Sequence, residues 1–183
     1  MIEGIAYIDE TYLSVMPKDL KKKEGNKLRG LSNNKLCIAT ATDGTHTFLA
    51  CIGNGKPSAR RLAGGLRGHI RPGTLIVDDG EKSHKYLCSE LESKRKSYPS
   101  SATKGLPDEK NPLEPINKVH RFFKRFMRSH GGYGREDVQD WCNLFSFIWN
   151  HHGNLPEMIY DVMRLVMEHK ELLRYRVLFA KKQ

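Results

Sequence analysis

An α/β fold is predicted for this chain: a mixed sheet flanked by helices, followed by a C-terminal helical extension. Three observations carry the prediction. Two β-prone runs, Lys35 to Thr42 and Thr45 to Ile52, are separated by Asp43-Gly44, a two-residue hairpin signal. After them the apolar pattern alternates helix, strand, helix, which implies a right-handed βαβ crossover. From Ile116 onward the apolar period is helical throughout.

With 183 residues the chain can bury one sizeable core. Residues 1–152 are expected to form it, with 153–183 as the helical extension. The formal charge of +10 favours a polyanionic partner. No apolar run approaches a membrane span, and Met1-Ile2-Glu3-Gly4 lacks the features of a signal peptide, so no membrane partner and a cytoplasmic location are expected. Cys37, Cys51, Cys88 and Cys142 never form a Cys-x-x-Cys pair, which argues against a zinc ribbon and a disulfide framework. His46 and His151-His152 show no metal-ligand spacing with them.

Taken in order, Ile5 to Leu13 is the first strand, and it carries Asp9-Glu10 at its centre. A carboxylate inside a core strand is costly unless a protein cation or a metal pairs it. Pro17 to Gly30, with Lys18, Lys21, Lys22, Lys23, Lys27 and Arg29, is too polar to pack; it reads either as a solvated charge run or as a phosphate-contacting arm. The first three strands then form an antiparallel meander. Gly53 to Ser58 is not a phosphate-binding loop, because Ala50 stands at the first glycine position and Pro57 replaces the Ser/Thr that would reach magnesium. Ser58 instead caps a helix from Ala59 to Gly68, weakened by Gly64-Gly65.

Arg71-Pro72-Gly73 turns the chain into a strand from Thr74 to Val77 that ends in Asp78-Asp79, a second apolar strand finishing in acids. Ser83 caps the next helix, which carries Tyr86, Leu87 and Leu91. Ser93 to Pro115, rich in Lys, Ser and Pro, reads as a loop. In the following helix Ile116, Val119, Phe122, Phe123, Phe126 and Met127 form an inner stripe, and Asn117, His120, Arg121, Lys124 and Arg128 the outer one. Gly131 to Gly134 breaks it. Arg135 to His151 is a further helix with Trp141, Leu144, Phe145, Ile148 and Trp149 on its buried side, and the last helix runs from Glu157 to about Phe179.

Four strings stand in this order: Tyr7-Ile8-Asp9-Glu10-Thr11-Tyr12; Arg29-Gly30-Leu31-Ser32-Asn33; Gly68-His69-Ile70-Arg71-Pro72-Gly73-Thr74-Leu75 running into Asp78-Asp79; and Ile116-Asn117-Lys118-Val119-His120 with Lys124. Together, from about Ile5 to Asn150, they resemble the catalytic domain of bacterial insertion-sequence transposases of the ISXO-like group. The order of elements is likewise ribonuclease H-like. The resemblance implies a ribonuclease H-like fold and a DDE-type transposase that cleaves DNA and transfers its 3′ end with two divalent ions, Mg2+ or Mn2+.

Carried over position by position, the catalytic residues are Asp9, Asp79, Asn117 and Lys124, with Asp9, Asp79 and Asn117 holding metal. Asp78 is the alternative to Asp79, since the family's string usually has a non-acidic residue just before its aspartate; adjacent strand residues face opposite ways, so only one of the two enters the site. Glu114, one turn before Asn117, is the rival third ligand. The expected partners are DNA, both transposon ends and target, and a homo-oligomer is compatible with them. The family's DNA-binding N-terminal region has no counterpart here, so a truncated copy is expected. Competing readings are an inactive remnant or non-catalytic basic nucleic-acid-binding module, and a structure-selective nuclease on the same fold.

Overall fold

The computed structural model describes residues 1–14, 20, 22–23, 26–27, 30–130 and 133–168. Its strands are β1 (Ile5–Ser14), β2 (Lys22–Lys23), β3 (Asn26–Lys27), β4 (Lys35–Thr42), β5 (Thr47–Asn54), β6 (Leu75–Asp78) and β7 (Arg95–Ser97). Its helices are α1 (Ala59–Leu66), α2 (His84–Glu90), α3 (Ser100–Thr103), α4 (Glu114–Ser129), α5 (Val138–Asn150) and α6 (Leu155–Glu168). Two compact units are formed, Met1–Asn150 and His151–Gln183. Most of the lysine-rich Pro17 to Gly30 segment, Gly131-Gly132 and the end of the last predicted helix lie outside the described residues. Within that lysine-rich segment β2 and β3 pair antiparallel.

The main sheet has the order β5-β4-β1-β6-β7. β4 pairs antiparallel with both β1 and β5, the expected meander, whereas β6 runs parallel to β1. β1 is therefore central, and its strict alternation sends side chains to two different layers. Ala6 and Ile8 pack with Ile76 of β6 against Leu62 and Leu66 of α1 and Leu87 of α2. Leu13 packs with Leu36, Ile38 and Leu49 against Val119, Phe123 and Met127 of α4 and Phe145 of α5, while Tyr7 joins Leu75, Val77 and Ile116. Each large side chain buried this way contributes about 1.5–3 kcal/mol.

The Ser58 cap forms as expected: the Arg61 amide donates to Ser58 Oγ at 3.3 Å. Gly65, which weakens α1 as a helix former, is where α1 closes on β5; a Cβ there would lie 2.5 Å from Ile52 Cγ2.

Four expectations are corrected. Ser83 precedes α2 in a helical conformation and makes no side-chain capping bond. The segment Ser93 to Pro115, read as a loop, contains the fifth strand: β7 pairs parallel with β6 through Ile76↔Arg95, Val77↔Lys96 and Asp78↔Ser97. It is a three-residue edge strand of polar residues, so it has no apolar alternation to betray it. Phe122 is 45% exposed, outside the stripe of α4 that docks on the sheet.

The fourth concerns α5, which buries Val138, Cys142, Phe145 and Ser146 and leaves Leu144 and Ile148 exposed. Its rotation fits two amide side chains that pair with the β5 edge. Gln139 Oε1 accepts from the Cys51 amide at 2.8 Å, and Asn150 bonds both the N–H and the C=O of Thr47 at 2.7 and 2.8 Å. These contacts satisfy edge groups that would otherwise recruit another strand.

Candidate metal centre

Two acids enter the site because of where β1 and β6 stop pairing. Their parallel register runs Ile5↔Leu75, Ala6↔Ile76, Tyr7↔Val77, so its continuation sets Asp9 level with Asp79. By alternation Asp9 shares the face of Tyr7, toward α4. Its carboxyl is half-buried and accepts from the Glu10 amide at 2.7 Å. Among the described residues its ion-pair partner is His120 alone, with Nδ1 3.7 Å from Asp9 Oδ2. Burial pushes the Asp9 carboxyl up to about 7, and the negative charges of Asp79 and Glu10 add to that rise against the lowering by the Glu10 amide. Asp79 and Asp9 are thus close enough to repel each other.

His120 supplies no positive charge. It is buried, with Nε2 3.1 Å from Thr40 Oγ1 of β4. Burial, with the nearby Lys124 ammonium, holds its pKa down to about 3. This corrects the sequence reading of His120 as an outer-face residue: α4 is rolled so that His120 lies beside Val119 and Phe123, against the sheet.

Asn117 and Lys124 flank that buried stripe. With Asp9, His120, Glu114 and Arg121 they line one cleft of about 500 Å³. Three of the four predicted residues, Asp9, Asn117 and Lys124, therefore share a cleft. Asp79 lies beside Asp9 but outside that lining. Its Oδ1 accepts from the Glu81 amide at 2.9 Å. The rival ligand Glu114 lines the same cleft, but its Oε1 accepts from Arg121 at 2.5 Å, and Arg121 also holds Asp108 at 3.0 Å. Arg121 thereby neutralises the carboxylate that would compete with Asn117.

Asp78 takes the opposite face, toward α2. It is wholly buried, and its Oδ2 accepts from Arg95 Nε at 2.6 Å and lies 3.1 Å from His84 Nδ1. Burial alone would raise this carboxyl, but hydrogen bonds from His84, Arg95, Ser97 and the Gly80 amide hold it far below the usual carboxylate range. His84, also wholly buried, reaches Glu10 Oε1 with Nε2 at 3.2 Å. Burial would lower the His84 pKa, yet Asp78 and Glu10 together lift it to about 9. Sequence reading missed His84 and Arg95. No local spacing marks them, because their partners arrive from other elements of the sheet.

By distance alone Asp78, Asp79 and His84 could hold a cation, with one ligand atom from each within 4.8 Å of the others. The contacts already made argue otherwise, since Asp78 is paired with Arg95 and both His84 nitrogens are engaged, by Asp78 and by Glu10. Asp9, Asp79 and Asn117 carry the oxygen donors that a hard divalent ion prefers, and the half-buried Asp9 carboxyl has no Lys or Arg partner among the described residues.

No family model matches the sequence, and no curated protein matches it. Among solved structures the chain is similar to the HTLV-2 integrase catalytic core domain in complex with magnesium, with a TM-score of 0.52 at 9% identity over 82% of this chain and 88% of that one. More distant likenesses are the catalytic core domain of BIV integrase (TM-score 0.47, 15% identity, 91% and 99% covered) and the catalytic domain of the Mos1 mariner transposase (0.46, 13%, 92% and 85%). The mixed five-stranded sheet flanked by helices is a ribonuclease H-like fold of the integrase catalytic-core type.

Proposed function

We propose that the chain is the catalytic domain of a DDE-type transposase of the bacterial insertion-sequence kind, ISXO-like, which cuts DNA and joins its 3′ end to a target. In this reading residues 1–152 are the catalytic domain and 153–183 a helical extension. The observation that carries it is the half-buried Asp9 carboxyl, unpaired by any Lys or Arg among the described residues, lining one cleft with Asn117 and Lys124 and standing beside Asp79. The HTLV-2 integrase core, whose fold this chain shares, is a complex with magnesium, in keeping with an all-oxygen donor set here.

Asp9, Asp79 and Asn117 would hold two Mg2+ or Mn2+ ions. Bound there, such ions supply positive charge at the attacking and leaving oxygens of a phosphodiester displacement. Asn117 offers a neutral carbonyl oxygen and so contributes less affinity than a carboxylate. Lys124, exposed at the edge of the cleft, is a point charge for a phosphate beside the scissile bond and offsets negative charge developing in the transition state. Arg125 and Arg128 extend that basic face along a shallow second cleft shared with Arg121 and Lys124, a path for the DNA backbone.

The test is nicking of supercoiled plasmid and joining of a 3′-OH oligonucleotide by the purified chain in Mg2+ or Mn2+. Asp9→Asn and Asp79→Asn should abolish both, while Asn117→Ala and Lys124→Ala should reduce them with the fold intact. Nicking that survives Asp9→Asn would overturn the reading. A second reading, a non-catalytic basic nucleic-acid-binding module, is favoured by the Arg125 and Arg128 face, which needs no acid to bind phosphate. DNA binding without any metal-dependent nicking would select it.

A further inference from the structure

We propose that His84 is a positioning residue: by bridging Glu10 of β1 to Asp78 of β6, it fixes the spacing of Asp9 and Asp79 from the opposite face of the sheet. The proposal rests on the reading of those two aspartates as metal ligands. The backbone ladder between β1 and β6 ends at Tyr7↔Val77, two positions short of the aspartates. Past that point no ladder pair joins the two strands among the described residues, and the two carboxylates repel each other. Each strand is still laddered to its outer neighbour there, Asp9 opposite Thr40 and Asp78 opposite Ser97, so a direct link between β1 and β6 at the aspartates has to come from side chains.

The residues beside them supply it. Glu10 follows Asp9 and Asp78 precedes Asp79, and both side chains turn to the α2 face, where His84 opens the helix. Its imidazole Nδ1 lies 3.1 Å from Asp78 Oδ2 and its Nε2 lies 3.2 Å from Glu10 Oε1. Carboxylate oxygens only accept, so an imidazole that bonds both donates from both nitrogens. Arg95 of β7 closes the unit, donating through Nε to Asp78 Oδ2 and through its terminal nitrogen to the Glu81 carbonyl at 2.7 Å. Two anions and two cations are thus buried as a neutral set that ties β1, β6, β7 and α2 together.

This arrangement separates two jobs on one strand pair. Asp9 lines the cleft on the α4 face and Asp79, 38% exposed, stands at the strand end 4.0 Å from His84 Nδ1, whereas Glu10 and Asp78 are used up in holding the strands. Preorganisation of this kind lowers the cost of binding because the ligand need not bring the groups together.

The experiment is a calorimetric titration of Mn2+ into the full chain, with thermal melts of each variant. Glu10→Gln sets the reference, since it removes one charge but leaves an oxygen to accept from the imidazole. Glu10→Gln combined with His84→Asn carries the same change at position 10 but is too short to span to it. The double variant should bind Mn2+ at least tenfold more weakly than Glu10→Gln while still melting cooperatively. Equal affinity in the two overturns the proposal. Should the double variant lose its cooperative melt, His84→Gln, which can reach only one of the two acids, is titrated against wild type, and wild-type affinity there overturns the proposal. If Mn2+ binding by the wild type survives Asp9→Asn with Asp79→Asn, the metal reading itself fails and takes this proposal with it; loss of binding there with no effect of the bridge defeats the positioning role alone.

Discussion

Arg95 Nε donates to Asp78 Oδ2 at 2.6 Å, on a carboxylate with no solvent exposure. The neighbour, Asp79, has a side chain 38% exposed, with Oδ1 4.0 Å from His84 Nδ1 and accepting from the Glu81 amide. Two adjacent acids therefore do different work. Asp78→Ala leaves Arg95 and His84 without their shared anion and should destabilise the chain by about 3–5 kcal/mol. Asp79→Asn breaks no ion pair closer than 4.0 Å and should change stability by about 0.5 kcal/mol or less. Urea denaturation of the two variants checks the contrast.

Asp9 should be a residue whose removal stabilises the metal-free protein. Its carboxyl titrates near 7 in the folded chain against 3.8 for an ordinary aspartate, so between those values the folded state holds the extra proton. Stability then falls as pH rises from about 4 to about 7. Asp9→Asn removes that slope and should raise the melting temperature at pH 8. With each pKa unit worth about 1.4 kcal/mol, the gain is a few kcal/mol at most. The check is a pH series of thermal melts without divalent metal.

Alkaline pH should act through His84. Its pKa is raised from 6.5 to about 9, so the stability it contributes is fully present below about 6.5 and is lost as pH rises through about 9. Melts of the wild type should fall across that window. His84→Gln, already less stable at pH 6, should show a flatter profile there.

DNA binding should be salt-steep and sequence-tolerant. Each neutralised phosphate contributes about −0.9 to the log–log slope on duplex DNA. Arg125→Ala and Arg128→Ala should each weaken binding to all sequences alike and make that slope shallower by about one unit. Fluorescence anisotropy from low to high salt measures both effects.

Much of the fold was legible because its signals are dense and local. Asp43-Gly44 marks the hairpin between β4 and β5, although Thr42 pairs with Thr47 and the loop is four residues, Asp43 to His46, not two, and Ser58 caps α1 with a real hydrogen bond. Of the residues predicted for the site, Asp9, Asn117 and Lys124 share a cleft. What escaped depends on pairing at a distance. β7 is three polar residues at an edge, visible only through its ladder to β6. His84 and Arg95 matter because Asp78 and Glu10 meet them in space. His120 was misplaced because a polar residue on an amphipathic helix reads as outer face, whereas Thr40 and Asp9 give it partners inside. The face of α5 was misread because its aromatic and aliphatic residues surround it, and the Gln139 and Asn150 contacts to β5 involve side chains that carry no apolar signal.

The central claim is that Asp9 and Asp79, with Asn117, hold divalent metal. Anomalous diffraction from crystals of the wild-type chain soaked in Mn2+ tests it most directly. A strong peak is expected between the Asp9 and Asp79 carboxylates, within ligand reach of the Asn117 carbonyl, and should be lost in Asp9→Asn. A peak held instead by Asp78 and His84, or no peak at millimolar Mn2+, would contradict it.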